Sequence, residues 1–247
     1  MPPGRAMWVW MPEASPPDPA ALAALAHRER VAEAFVSVPW VGPSDATRAS
    51  VAALRAAGVR VAALGGEPSW TEGDRAVEWM RRAIREDGFT GVHLDIEPWT
   101  RADWAGREHE LLGGLARAVA GVASATALPV EVDLAPWLAE AQPAGFAAIA
   151  SVADAVTLLA YRDRASAIVD STPAARRLLD GAGRRYRIGV ETGAVRAPAP
   201  APRETFADDG RAVLERELAA VGARLAGDAR FAGIAVHDFE GWRSLRP

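Results

Sequence analysis

The sequence predicts a single (β/α)8 TIM barrel over residues 1–247, and three observations carry that expectation. Eight short β-type runs recur along the chain, alanine-rich helical patterns separate them, and 247 residues is an ordinary length for such a barrel.

The runs are Ala6–Met11, Ala34–Trp40, Val59–Gly65, Gly91–Glu97, Val130–Leu134, Ala155–Tyr161, Tyr186–Glu191 and Gly233–His237. Most are rich in Val, Ile, Leu or aromatic residues, as strands covered on both faces should be. Helical spacing fills the intervals, at Ala20–Ala34, Ala46–Ala57, Arg75–Glu86, Glu108–Ala123, Pro173–Leu179 and Gly210–Leu225. Strands alternating with helices imply βαβ units and a parallel sheet. Eight such units in this length favour closure over an open doubly wound sheet. The Ala197–Pro202 run (APAPAP) reads as a proline-stiffened loop after strand 7, because the eighth helix and strand signals follow it. No GxGxxG follows the first strand and no GxxxxGK[ST] occurs, so nucleotide folds lack their phosphate loop.

Composition narrows the chemistry. Hydrophobic residues make up 50% and charged residues 24%, as in an ordinary globular protein. A net charge of −4 with no basic run leaves no general attraction to nucleic acid or to an anionic membrane, and neither is expected as a partner. Cysteine is absent, which excludes disulfides, thiolate metal sites and thiol nucleophiles. All 28 Lys+Arg residues are arginine, which removes Schiff-base and pyridoxal-phosphate chemistry, since each needs a lysine amine. Neither a secretory hydrophobic region nor a membrane-length apolar stretch is visible, so a cytoplasmic location is expected. No pattern bears on oligomeric state.

Polar residues within buried strands need a reason, because each must be paired or face the barrel mouth. Strand 4 reads Thr90-Gly91-Val92-His93-Leu94-Asp95-Ile96-Glu97-Pro98-Trp99. Alternation puts His93, Asp95 and Glu97 on one face and Val92, Leu94 and Ile96 on the other. The apolar set suits the helices, so the polar set should point inward and climb to the C-terminal mouth. Asp95 beneath Glu97 should raise the proton affinity of one carboxyl, which is how a carboxylic acid stays protonated near neutral pH and serves as a general acid. A buried ion-pair cluster with an arginine such as Arg187 is the structural alternative. Strand 5 offers Glu131 and Asp133, with Trp137 beyond. Strand 6 ends at Tyr161-Arg162-Asp163, strand 7 at Glu191 and strand 8 at His237. Each alone suits a structural role, and the joint placement at one rim makes them a site.

Seven tryptophans, among them Trp10, Trp99 and Trp137, lie at or just after C-terminal strand ends. Flat aromatic faces stack on the apolar faces of sugar rings, so a tryptophan-lined carboxylate cleft points to carbohydrate. Trp79, within a helical pattern, is expected to pack the core.

At strand 4 the chain resembles the family-18 glycoside hydrolases, the chitinase-like barrels, whose signature there is Asp-Gly-x-Asp-x-Asp-x-Glu. Gly91, Asp95 and Glu97 match it, and the chain looks like an uncharacterised bacterial branch of that family. By this resemblance Glu97 protonates the glycosidic oxygen, and Asp95 orients a substrate acetamido group that acts as internal nucleophile. The family's Met-x-Tyr-Asp on strand 6 is similar to Leu159-Ala160-Tyr161-Arg162, which carries Tyr161 over. His93 stands where the family has its middle aspartate, Thr90 where it has the first, and Arg162 where an aspartate follows the tyrosine. A second resemblance is to retaining barrels with Asn-Glu-Pro on strand 4 and a glutamate nucleophile on strand 7. Ile96-Glu97-Pro98 and Glu191 occupy those places.

The reading is a glycoside hydrolase that needs no cofactor and holds no metal, acting on a carbohydrate or glycoside. Glu97, Asp95, Glu191 and Tyr161 are the catalytic candidates. His93, Asp133, Trp137, Trp10, Trp99, Asp163 and His237 are the substrate-binding candidates. Two alternatives stand beside it: a non-catalytic sugar-binding barrel, and a metal-dependent barrel hydrolase using His93, Asp95, Glu97 and His237.

Overall fold

In the computed structural model, which describes residues 4–85, 88–195 and 200–247, eight parallel strands close into a barrel in the order β1 to β8. They are β1 Gly4–Val9, β2 Val31–Ser37, β3 Arg60–Gly65, β4 Gly91–Leu94, β5 Val130–Leu134, β6 Ala155–Leu159, β7 Arg185–Glu191 and β8 Phe231–His237. The helices between them are α1 Pro19–Arg28, α2 Asp45–Ala56, α3 Arg75–Ala83, α4 Glu108–Ala125, α5 Leu138–Ala141, α6 Pro143–Val152, α7 Ala165–Asp170, α8 Pro173–Gly181 and α9 Arg211–Leu225. A short α10, Phe239–Ser244, follows β8. Among the described residues no helix is long and apolar enough to cross a membrane.

All eight expected strands are present, β5 with the expected ends and the others shifted at one end or both. The helical pattern Ala20–Ala34 overran, because α1 stops at Arg28 and Arg30 turns the chain at φ 55°. β2 then starts at Val31, three residues before the expected Ala34, and carries Glu33 into the barrel. A charged residue there interrupts the apolar run that sequence reading follows. β4 ends at Leu94 rather than Glu97, although Asp95 N–H still donates to Gly65 C=O at 3.1 Å. Pro98 has no N–H to extend a ladder, and a 3-10 turn over Pro98–Thr100 follows. Residues 197–199 of the proline-rich run, and Glu86 of the third helical pattern, lie outside the described residues.

The barrel wall separates two apolar sets. Met7, Val9, Val36, Val61, Val92, Leu94, Val132, Ile188 and Val236 belong to the large core shared with the helices. Ala6, Trp8, Phe35, Ala62, Leu64 and Ala235 form a separate cluster inside the barrel. Strand alternation accounts for this division, and it turns His93, Asp133, Glu191 and His237 inward with the second set.

Trp8 plugs the lumen. Its ring meets Phe35, His93 and His237 edge-on at centroid distances of 5.2, 5.8 and 5.5 Å. Gly189 on β7 makes room for it, since a β-carbon there would stand 3.3 Å from the indole. Nearer the N-terminal end the filling is ionic. Arg187 pairs with Glu33 and, at 3.1 Å, with Glu131, while Thr157 hydroxyl donates to Glu131 and Arg60 reaches Glu33 at 2.9 Å. Burial of these charges is tolerable because each is paired and hydrogen-bonded.

Candidate active site

The lumen becomes acidic toward its C-terminal end. His93 is fully buried and stacks on Phe35 at 3.7 Å between ring centroids, with its Nε2 2.9 Å from Asp133 Oδ2. Trp8 indole N–H makes a long hydrogen bond of 3.4 Å to the same oxygen. Burial pushes His93 below its ordinary pKa. Burial, reinforced by Glu131 and Glu97, pushes Asp133 well above the usual carboxylate range. Both shifts favour the uncharged forms of the pair, an imidazole beside a carboxylic acid.

Above them stand Asp95 and Glu97, which keep part of their surface open. Burial and the neighbouring Asp133 raise Asp95 to about 7, against the opposing pull of His93 and His237. Burial and Asp95 raise Glu97 to about 8, opposed by His237. Like-charge coupling and burial oppose ionisation of both carboxyls at once, which favours a shared proton near neutral pH. Asp95 Oδ1 is buried and has no hydrogen-bond partner among the described residues, nor has Asp133 Oδ1. Buried acceptors of this kind mark a place where a ligand can donate.

Glycine holds Asp95 in place. A β-carbon on Gly66 would lie 1.9 Å from Asp95 C=O, so the loop after β3 can pass beneath Asp95 only without a side chain.

Glu191, at the end of β7, is fully engaged. Its Oε1 accepts from Thr192 and Gly193 N–H at 2.8 and 2.6 Å, and its Oε2 lies 2.9 Å from His237 Nδ1. Thr205 and Phe206 return to this end of the strand: Thr205 bridges to Glu191, and Phe206 N–H donates to Glu191 C=O at 3.0 Å. The other imidazole nitrogen of His237, Nε2, accepts from Trp10 indole N–H at 3.0 Å. Burial opposes the charging of His237, yet the contact with Glu191 outweighs it and holds the imidazole above its ordinary pKa. The His237–Asp238 peptide is cis, and Asp238 then caps α10 by accepting from Gly241 N–H at 2.8 Å. Tyr161, just past β6, sits with its ring 6.0 Å from that of His237. Burial, with Glu191 and Asp133 nearby, keeps its hydroxyl protonated far beyond the ordinary range.

Of the residues singled out from sequence, His93, Asp133, Tyr161, Glu191, His237 and Trp10 are joined by contacts, in part through Trp8, and Asp95 and Glu97 interact with them electrostatically. The other three stand apart from this cluster. Trp137 is exposed at the start of α5 and meets Trp104 edge-on at 6.3 Å, and Trp99 packs against the outer core. Asp163 lies 3.7 Å from Arg164. Among the described residues, no hydrogen bond, ion pair or ring contact ties these three to the cluster. Trp8 and Phe35 form the floor of the cluster; sequence reading counted Trp8 among the strand-end tryptophans without singling it out, and missed Phe35. Period-two counting along β1 and β2 could have found them, since it puts Trp8 on the face of Trp10 and Phe35 on the face of Ser37. Among the described residues, no group of three or more His, Asp or Glu side chains is arranged to hold a metal ion.

No family model and no curated protein matches the chain in sequence. Solved structures do resemble it in fold. The family 18 chitinase from Crocus vernus shares 13% identity at a TM-score of 0.58, over 97% of this chain and 94% of that one. An active-site mutant of Rhizomucor miehei beta-1,3-glucanosyltransferase, in complex with laminaritriose, shares 11% at 0.59, over 95% and 86%. The L-Ala-D/L-Glu epimerase of Bacillus subtilis matches too, at 14% and 0.51, over 100% of this chain and 56% of that one. At such identities the likeness is one of fold, and it includes barrels that act on sugars.

Proposed function

We propose that the protein is a glycoside hydrolase in which Glu97 is the general acid. One observation carries this reading: burial and the neighbouring Asp95 raise Glu97 to about 8, and the Oδ1 of that Asp95 is buried with no hydrogen-bond partner among the described residues. An acid that is still protonated near its working pH, set beside a second carboxyl, is the pairing that glycosidic cleavage needs. The sugar-acting barrels among the structural neighbours support the same class of substrate.

In this reading the glycosidic oxygen takes the Glu97 proton as its bond to the anomeric carbon breaks. Two partners can supply electrons to that carbon. Glu191 as a covalent nucleophile is disfavoured, because its oxygens already meet two backbone N–H groups and His237. Asp95 fits better as the carboxyl that accepts from the N–H of a substrate acetamido group, whose oxygen closes on the anomeric carbon. Water then opens that ring and returns a proton to Glu97. Tyr161 and His237 border the same space, and Trp8 and Phe35 form its floor beneath them.

The test is Glu97→Gln, which preserves shape and removes the acid. Turnover of an alkyl N-acetylhexosaminide should fall by about 10²–10⁴-fold while sugar binding and the melting temperature hold. Wild-type binding without any turnover would instead identify a sugar-binding barrel.

A further inference from the structure

A cleft of about 840 Å³ lies on the C-terminal face, between the loops that follow β6 and β7. The first loop lines it with Arg162, Asp163 and Arg164, and the second with Arg203 and Glu204. Hydrogen bonds tie the two loops to each other and to the barrel mouth. Asp163 N–H donates to Arg203 C=O at 3.1 Å. Arg162 directly follows Tyr161, and its guanidinium donates to Tyr161 C=O at 2.6 Å. Thr205, next to Glu204, bridges to Glu191 and donates its hydroxyl to Gly193 C=O at 2.7 Å. The cleft thus adjoins the carboxylate cluster on the flank formed by Tyr161 and Glu191.

Its charges run against those of the chain. The whole sequence carries a net −4 and the barrel mouth is acidic, yet three guanidiniums line this cleft against two carboxylates. Both carboxylates are already engaged. Glu204 accepts from Ala201 N–H at 2.9 Å, and Asp163 lies 3.7 Å from Arg164. Asp209, which is not part of the lining, accepts from Arg164 at 3.1 Å. Donors are left over. Arg162 stands 3.9 Å from Glu204, too far for a hydrogen bond. Arg203 makes no ion pair or side-chain hydrogen bond among the described residues, and the Ser166 hydroxyl in the same lining has no partner among them either.

A guanidinium presents its N–H groups as a planar fork that matches the oxygens of phosphate or sulfate. Three such forks brought together by two loops suit a tetrahedral oxyanion better than a neutral hydroxyl. We infer that this cleft binds a phosphate or sulfate group, with Arg203 as principal donor and Arg162 and Arg164 beside it. The group arrives as a free anion or as a substituent of the molecule held at the barrel mouth. The second source rests on the sugar-acting reading of that mouth, and the first does not.

Calorimetry at low ionic strength, where charge is least screened, tests the site. The probes are inorganic phosphate, N-acetylglucosamine 6-sulfate and plain N-acetylglucosamine. Phosphate, or the sulfated sugar in excess of the plain one, should bind, and Arg203→Gln should weaken that binding by on the order of tenfold. Arg162→Gln combined with Arg203→Gln should abolish it. Arg224→Gln, at an exposed arginine of α9 outside the cleft, should leave it unchanged. All three side chains are exposed, so the melting temperature should hold in each variant. A sulfated sugar that binds more tightly than the plain one assigns the cleft to a substituent, whereas phosphate binding with the two sugars alike assigns it to a free anion. Absence of phosphate binding together with equal affinity for the two sugars overturns the site, as does equal weakening by Arg224→Gln. Failure of the glycosidase reading is separate: a protein inert toward every glycoside would still bind phosphate here.

Discussion

Glu191 and His237, register partners on the adjacent strands β7 and β8, meet at the barrel mouth at 2.9 Å, carboxylate oxygen to Nδ1, and this contact gives the two residues different work. The glutamate orients the imidazole, and the imidazole presents its Nε2 to Trp10 beside the acid pair.

Glu191→Gln should therefore act through His237. Loss of one charged hydrogen bond is worth about 1.5–3 kcal/mol, so kcat/KM should fall by about ten- to a hundredfold. His237, held high by this contact, should titrate at lower pH by NMR. With Glu191→Gly, added azide should neither restore turnover nor yield a glycosyl azide. Azide rescue would make Glu191 the nucleophile.

Glu97 and Asp95 should shape the pH profile together. A general acid works only while protonated, so kcat/KM should hold below about 8 and fall above it. Asp95 contributes to that height by like-charge repulsion. Asp95→Asn should thus lower residual activity and also shift its basic limb to lower pH. An unmoved limb would mean that the two carboxyls do not interact.

Arg187 neutralises Glu33 and Glu131 deep in the barrel. Arg187→Met would leave Glu131 without its cation and Glu33 with Arg60 alone, a loss of about 3–5 kcal/mol. Denaturant unfolding should show it as a lower midpoint with the slope retained. Adding Glu33→Gln and Glu131→Gln should recover much of the loss.

Gly66→Ala should be worse than its single methyl suggests. The new carbon would fall within 1.9 Å of Asp95 C=O, so the backbone beneath the acid pair must move. Overpacking of this kind costs about 1–3 kcal/mol, and activity should fall further than stability does. Activity equal to that of the parent would mean that the position of Asp95 is not critical.

Alternation along β4 was the most legible feature, because period-two spacing alone decides which side chains share a face. It predicted that His93, Asp95 and Glu97 turn inward; His93 does so by stacking on Phe35, while Val92, Leu94 and Ile96 pack in the outer core. Partners contributed by other strands were not legible. Nothing in the order of residues says that Glu191 accepts from the two amides after it, or that Trp10 reaches His237 across 227 positions of chain. Arg187 illustrates the same limit. Its charge was visible as a pairing candidate, yet its partners, Glu33 and Glu131, lie below the strand-4 trio. Trp79 was legible as a core residue, but its stacking with Trp70 and of Trp70 with Trp40 was not, since it depends on how two loops and α3 close together.

The central claim is that Glu97 delivers a proton to the departing oxygen, and leaving-group dependence tests it most directly. Wild type and Glu97→Gln are compared on a dinitrophenyl and a methyl glycoside of the same N-acetylhexosamine. The phenolate departs without help, so the substitution should cost the methyl substrate on the order of a hundredfold more than the dinitrophenyl one. Equal losses on the two substrates would contradict proton transfer by Glu97.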